Sequence, residues 1–132
     1  MDFDSSPYVD VRAGMKIRRE VLGDSYVDAS LARATGAAEP LQELVTGYVW
    51  GCLWSRPELD RRSRSLVNLG ILIAINQQHE LAIHVRGALK NGLTEQEIIE
   101  VVLHATGYCG APAALAAMRT VQSVLDAQEP AE

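Results

Sequence analysis

A glutamate and a histidine stand one helical turn apart in the stretch Gln77-Gln78-His79-Glu80-Leu81-Ala82-Ile83-His84-Val85-Arg86-Gly87-Ala88-Leu89-Lys90-Asn91-Gly92. At 100° per residue Leu81, Val85, Ala88 and Leu89 fall on one side and Arg86 and Lys90 on another, with Glu80, His84, Gly87 and Asn91 on the border. An imidazole beside a carboxylate at the edge of an apolar face is an acid/base arrangement, and small Gly87 and Ala88 leave room there for a ligand. The competing reading is a solvated Glu–His pair on a helix surface. A second pair, His104 and Tyr108, lies one turn apart near the end of a later segment, with Glu100 one turn before His104. These rings either line a pocket or pack into the core with their polar ends satisfied. A third feature is a polar stripe of Arg61, Arg64 and Asn68 at i, i+3 and i+7. Its competing reading is that the arginines solvate the first turns of a helix while Asn68 is hydrogen-bonded in the core.

Composition and periodicity set the class of scaffold that must hold these residues. At 132 residues the chain is read as one domain with a real core. Aromatic residues make up only 5%, while Ala, Leu, Val and Ile are abundant, which favours helix packing over a β-sandwich. The β-branched runs all lie inside 3.6-periodic segments, so no strand is expected. Helices are expected from Asp10 or Val11 to about Leu22, stopped by Gly23, and from Asp24 to Thr35, broken at Gly36. The next runs from Leu41 to about Ser55, with Pro40 in its first turn and Arg56-Pro57 at its end. Leu59 or Asp60 opens a long helix to about Asn76, followed by one over Gln77–Asn91. The capping box Thr94-Glu95-Gln96-Glu97 opens a helix to about Tyr108, and after Gly107, Gly110 and Pro112 a last helix covers Ala113 to about Ala127. The expected architecture is a compact all-α bundle of about six helices: an arm over 1–9, a single helical domain over 10–127 and a polar tail over 128–132.

The helix through Leu66–Ile75 is apolar almost all round, more than a small monomer buries easily, so it is read as central and as part of a subunit interface. A net charge of −5 argues against nucleic acid and anionic membrane as main partners, but not against a small anionic substrate. The longest apolar run is about half a membrane span. The acidic N-terminus lacks an apolar signal region, so a soluble cytoplasmic protein is expected. Cys52 and Cys109 lie far apart and outside any Cys-x-x-Cys pattern, which gives no zinc site, redox motif or disulfide framework.

Four stretches together resemble the γ-carboxymuconolactone decarboxylase family. They are Ala13-Gly14-Met15-Lys16-Ile17-Arg18-Arg19-Glu20-Val21-Leu22-Gly23-Asp24; Trp50-Gly51-x-x-Trp54-Ser55-Arg56-Pro57 followed by Leu59-Asp60-Arg61-Arg62-x-Arg64-Ser65-Leu66; Glu80-Leu81-x-x-His84-x-Arg86; and His104-x-x-x-Tyr108-x-Gly110-x-Pro112-Ala113-Ala114. The resemblance covers roughly residues 10–125, and its specificity lies in the order and spacing of the stretches. It implies an alkyl hydroperoxidase D-like helical fold, assembly into homo-oligomers, commonly trimers or hexamers, and decarboxylation of γ-carboxymuconolactone to the β-ketoadipate enol-lactone in aromatic (protocatechuate) catabolism, with no cofactor and no metal. In that reaction the leaving carboxylate is vinylogous to the lactone carbonyl, so its electrons flow into an enolate-like oxyanion.

The resemblance further implies His84, oriented by Glu80, as proton donor and Arg61 and Arg64 as anchors for the spectator carboxylate. His104 or Tyr108 would polarise the lactone carbonyl, and Trp54 would wall the departing carboxylate. In the thiol-peroxidase branch of the superfamily, cysteines stand seven and four residues before the histidine. Here those positions are Gln77 and Glu80, so a thiol mechanism has no nucleophile. The chain departs from the decarboxylase pattern at Cys52, where an acidic residue is usual, and at Gln77-Gln78, near a usual arginine. Those departures suggest a paralogue acting on a related small lactone or keto acid. A non-catalytic helical assembly module is the third reading.

Overall fold

In the computed structural model, which describes residues 9–128, Asp10 starts the first helix as the spacing predicts: its carboxylate accepts the Ala13 N–H at 3.0 Å. Apart from Val9 and Gln128, the arm expected over 1–9 and the tail expected over 128–132 lie outside the described residues. Helix α1 spans Val11–Leu22 and ends at Gly23, whose φ of 91° suits glycine; α2 follows over Asp24–Arg33. A 3₁₀ turn, Gly36–Ala38, leads into α3, Glu39–Leu44, with Pro40 in its first turn.

The single helix expected from Leu41 to Ser55 is interrupted. At Val45 the winding widens to a π-helix that runs to Leu53, and the Trp54 N–H donates to the Val49 carbonyl five residues back at 3.0 Å. This winding turns Thr46, Gly47, Trp50 and Gly51 inward together. There α1 crosses the π segment with backbone against backbone. A Cβ on Gly14 would fall 1.8 Å from the Thr46 carbonyl oxygen, and one on Gly51 would fall 2.2 Å from that of Asp10. Ile17, Val21, Trp50 and Trp54 fill the core beside this crossing, and the two indoles stack with centroids 4.9 Å apart.

The described residues form two compact units, one through Asp60 and one from Arg61 on. In the second, four helices share one core: α4 (Arg61–Ala74), α5 (Gln78–Lys90), α6 (Glu95–Cys109) and α7 (Ala111–Asp126). Helix α4 packs on α5 and α6, and α7 packs on the same two. Leu69, Ile73, Leu81, Val85, Ile98, Val102, Ala117 and Val121 fill the centre. The capping box forms as read: Thr94 Oγ1 accepts the Glu97 N–H at 3.1 Å, and a Glu97 carboxylate oxygen accepts the Thr94 N–H at 3.0 Å. Pro112, expected to break the chain, instead lies in the first turn of α7, where a missing N–H costs nothing. The break is made by Gly110 alone, at φ 88°, and Gly107 stays inside α6.

The described residues therefore hold seven α-helices, one on each of the segments read from the sequence, and no strand. None is long and apolar enough to cross a membrane. The all-round apolar helix is buried on one side only: Leu69, Leu72 and Ile73 face the core, while Val67, Ile71 and Ile75 are each half-exposed or more.

Candidate active site

His84 projects from the middle of α5 toward α4, half-buried, and its Nδ1 lies 3.0 Å from Asn68 Nδ2. An amide nitrogen only donates, so Nδ1 accepts and the neutral ring carries its proton on Nε2. Burial pushes the His84 pKa down from 6.5 to about 4, so at neutral pH the ring is uncharged. Glu80, expected to orient this ring, is exposed on the first turn of α5; the hydrogen bond at Nδ1 comes from Asn68 instead. Arg61 and Arg64 are half-buried and lie within about 40° of Asn68 around α4 at 100° per residue. Asn91 closes the other end of this flank: its Nδ2 donates to Ser65 Oγ at 2.9 Å and to the Arg61 carbonyl at 3.5 Å. Asn68 appears in the sequence as a core-polar alternative and Asn91 as a border residue. Pairing either across two helices needs the register of α4 on α5, which no local pattern contains.

His104 and Tyr108 lie elsewhere. Leu66 and Gly70, which face α6, are about 160° round α4 from Asn68. They and Val67 form one wall of an open, mostly apolar groove of about 710 Å³, with Val101, His104 and Tyr108 on the other. The two rings contact at 5.1 Å between centroids, and Tyr108 is 82% exposed, so the core-packing reading of this pair does not hold. Arg62 and Glu97 pair across α4 and α6, with Glu97 also on the groove wall. In the first unit Trp54 is buried against Trp50 as part of the core. Of the two departures noted in the sequence, Gln78 ties α5 to α7 by accepting from Thr120 Oγ1 at 2.6 Å, and Cys52 lies half-buried in the π segment. Among the described residues no three His, Cys, Asp or Glu side chains group to hold a metal.

The buried neutral ring has a measurable consequence. Its folded-state pKa lies below that of a free imidazole, so between pH 6.5 and about 4 the unfolded chain binds a proton that the folded one does not. Stability is then fully present above pH 6.5 and falls as the pH drops toward 4, by up to about 3 kcal/mol. Urea midpoints from pH 4 to 7.5 should show a steeper acid loss for the wild type than for His84→Gln. Parallel curves would mean that the ring is solvated.

Comparison with known proteins adds to this geometry. A family profile described as "Carboxymuconolactone decarboxylase family" matches residues 39–123. Nitrosuccinic acid decarboxylase npaB of Metarhizium robertsii is 48% identical over 113 residues, covering 86% of this chain and 79% of that one. The 4-carboxymuconolactone decarboxylase of Acinetobacter baylyi is 38% identical over 113 residues, covering 86% of this chain and 84% of that one. With a profile spanning most of the chain and two decarboxylases aligned along nearly all of it, the protein belongs to the carboxymuconolactone decarboxylase family and is a carboxy-lyase.

Proposed function

We propose that this carboxy-lyase removes CO2 from a small dicarboxylic acid that carries its own electron sink. Nitrosuccinic acid is the first substrate to test and γ-carboxymuconolactone the second. That order follows the 48% and 38% identities to the two decarboxylases; the lactone keeps the support of the motifs around His84 and His104. The two acids pose one chemical problem. In nitrosuccinate the carboxylate on the nitro-bearing carbon leaves as CO2, its bonding pair moves into the nitro group as a nitronate, and protonation at carbon gives the nitro-substituted propanoate. In the lactone the pair moves through the C=C into the carbonyl oxygen. Each substrate supplies its own sink, and each keeps a spectator carboxylate for the protein to hold.

The neutral His84 ring on Asn68 carries the reading. With a pKa of about 4, roughly one ring in a thousand is charged at pH 7, so the proton-donor role implied by the resemblance cannot rest on an abundant imidazolium. A neutral Nε2–H serves instead as a fixed donor to the sink oxygen. In a poorly solvated place that hydrogen bond strengthens as negative charge develops there. Water then protonates the carbon. Arg61 and Arg64, on the same flank of α4, take the spectator carboxylate. His104 and Tyr108 are assigned no step. The half-exposed Val67, Ile71 and Ile75 are read as surface covered by further copies of the chain.

Purified protein should release CO2 from nitrosuccinate faster than from the lactone. In the ultracentrifuge the same preparation should sediment as a species heavier than the 14.4 kDa monomer. Absence of turnover with both acids would defeat the substrate assignment, and a monomer would defeat the assembly.

A further inference from the structure

A different part of the chain, in the first unit, holds a charge that this chemistry leaves unused. Arg18 is only 5% exposed. Its Nη1 donates to Gln42 Oε1 at 2.9 Å and Thr46 Oγ1 at 3.0 Å, and its Nη2 donates to Ser30 Oγ at 3.1 Å. All three acceptors are uncharged, and the buried Nε has no partner among the described residues. Burial lowers the Arg18 pKa, with Tyr26 opposing, but a guanidinium stays charged across the physiological range. Among the described residues this buried cation has neutral partners only and one donor unmet, so it lacks there the counter-charge that normally offsets desolvation.

A pocket of about 220 Å³ lies beside it, and Gln42 and Thr46, the two residues that hold Nη1, also line that pocket. The guanidinium is therefore one side chain away from the cavity, and Val11, Met15 and Arg18 follow one another at i, i+4 and i+7 along α1. Val11, Met15, Leu31 and Ala34 make the walls apolar, while two exposed carboxylates, Glu39 and Glu43, complete the lining. Glu39 also accepts the Gly36 N–H at 3.2 Å. The layout is a cation behind the polar wall, apolar sides and anions on the solvent side. A dicarboxylate would meet like charge on entering, and a simple amine would find only a cation within. A small amino acid satisfies both ends.

We propose that this pocket binds a small zwitterionic amino acid, whose carboxylate replaces Gln42 as acceptor at Arg18 Nη1 and whose ammonium faces Glu39 and Glu43. Gln42 is half-buried and flexible, so the exchange needs a rotamer change and no backbone movement. At about 30 Å³ per water, the volume equals roughly seven waters, which suits a chain of three to five carbons.

The test titrates the full chain with glycine, β-alanine and γ-aminobutyrate, with butyrate and butylamine as single-charge controls. Binding is followed by calorimetry and by the methyl NMR signals of Met15 and Leu31. At least one amino acid should bind about fivefold or more tighter than either control. Glu43→Gln, an exposed change, should bring that ligand down to the level of butyrate. Arg18→Gln should abolish binding if it folds; if it does not, Glu43→Gln decides. The proposal is overturned if butyrate binds as well as the amino acids, if no ligand moves the methyl signals at tens of millimolar, or if Glu43→Gln or folded Arg18→Gln binds like the wild type.

Discussion

Gly14→Ala should cost the protein more than about 4 kcal/mol of stability. The added methyl would fall 1.8 Å from the Thr46 carbonyl oxygen and 2.8 Å from the Gly51 nitrogen. Both are backbone atoms of the π segment, so no side chain can swing aside, and α1 has to back away. That retreat opens the cluster of Ile17, Val21, Trp50 and Trp54 and draws Thr46 off the Arg18 guanidinium. Overpacking alone costs about 1–3 kcal/mol; the lost burial of large side chains and a half-solvated cation add to it. Urea unfolding read by tryptophan fluorescence reports directly, because both tryptophans lie in that cluster. Gly70→Ala is the matched control. A Cβ there meets nothing within 4 Å, and its place inside α4 favours alanine by about 0.5–1 kcal/mol. Equal midpoints for Gly14→Ala and wild type would contradict the backbone contact.

His84→Ala should lower kcat by about 10²–10³ with the helical content unchanged, the range for losing one fixed donor to a developing oxyanion. Substrate affinity should change little, since the ring acts on charge that appears only in the transition state. Asn68 supplies the sharper discrimination. Asn68→Leu leaves Nδ1 without any hydrogen-bond partner, an expected loss of about tenfold. Asn68→Asp reverses the ring: a carboxylate accepts from Nδ1–H, which leaves Nε2 as an acceptor and raises the imidazole pKa. That variant should lose the reaction near pH 8 and regain part of it as the pH falls and both ring nitrogens are protonated. An unchanged kcat in His84→Ala would remove the ring from the chemistry, whereas an unchanged pH profile in Asn68→Asp would remove only Asn68.

What was legible in the chain was what short-range chemistry decides. The helix start at Asp10–Val11, the glycine stop at Gly23 and the Thr94–Glu97 capping box depend on neighbours three or four residues away, and they stand where the pattern put them. The core face of α5 follows from period alone, whereas α4 reads as apolar all round and its buried side is set by packing. The π winding at Val45–Leu53 was invisible, because apolar spacing does not distinguish it from an α-helix, and its close contact with α1 is made by residues more than thirty positions away. His84 and Glu80 form a natural unit in the sequence because they are one turn apart on one helix. The ring nevertheless pairs across to α4, since a partner on a packed neighbour is held more firmly than one on the solvent side. Pro112 departs from its expected place for a simpler reason: proline punctuates a helix interior but is welcome in a first turn.

The Asn68 side chain is nearly symmetric in shape and antisymmetric in hydrogen bonding. A half-turn of its amide replaces the N–H facing His84 by a carbonyl oxygen of almost the same size, without moving α4 or α5. The ring can thus gain a proton at Nδ1 and lose it again while keeping a partner of the correct sense at every stage. Protonation of His84 is in this way separated from the packing of the helices that carry it: the bundle feels the cost of charge in the interior, but it does not have to rearrange to hold the charged ring. A leucine would fill that space without answering the proton, and an aspartate would answer it in one sense only.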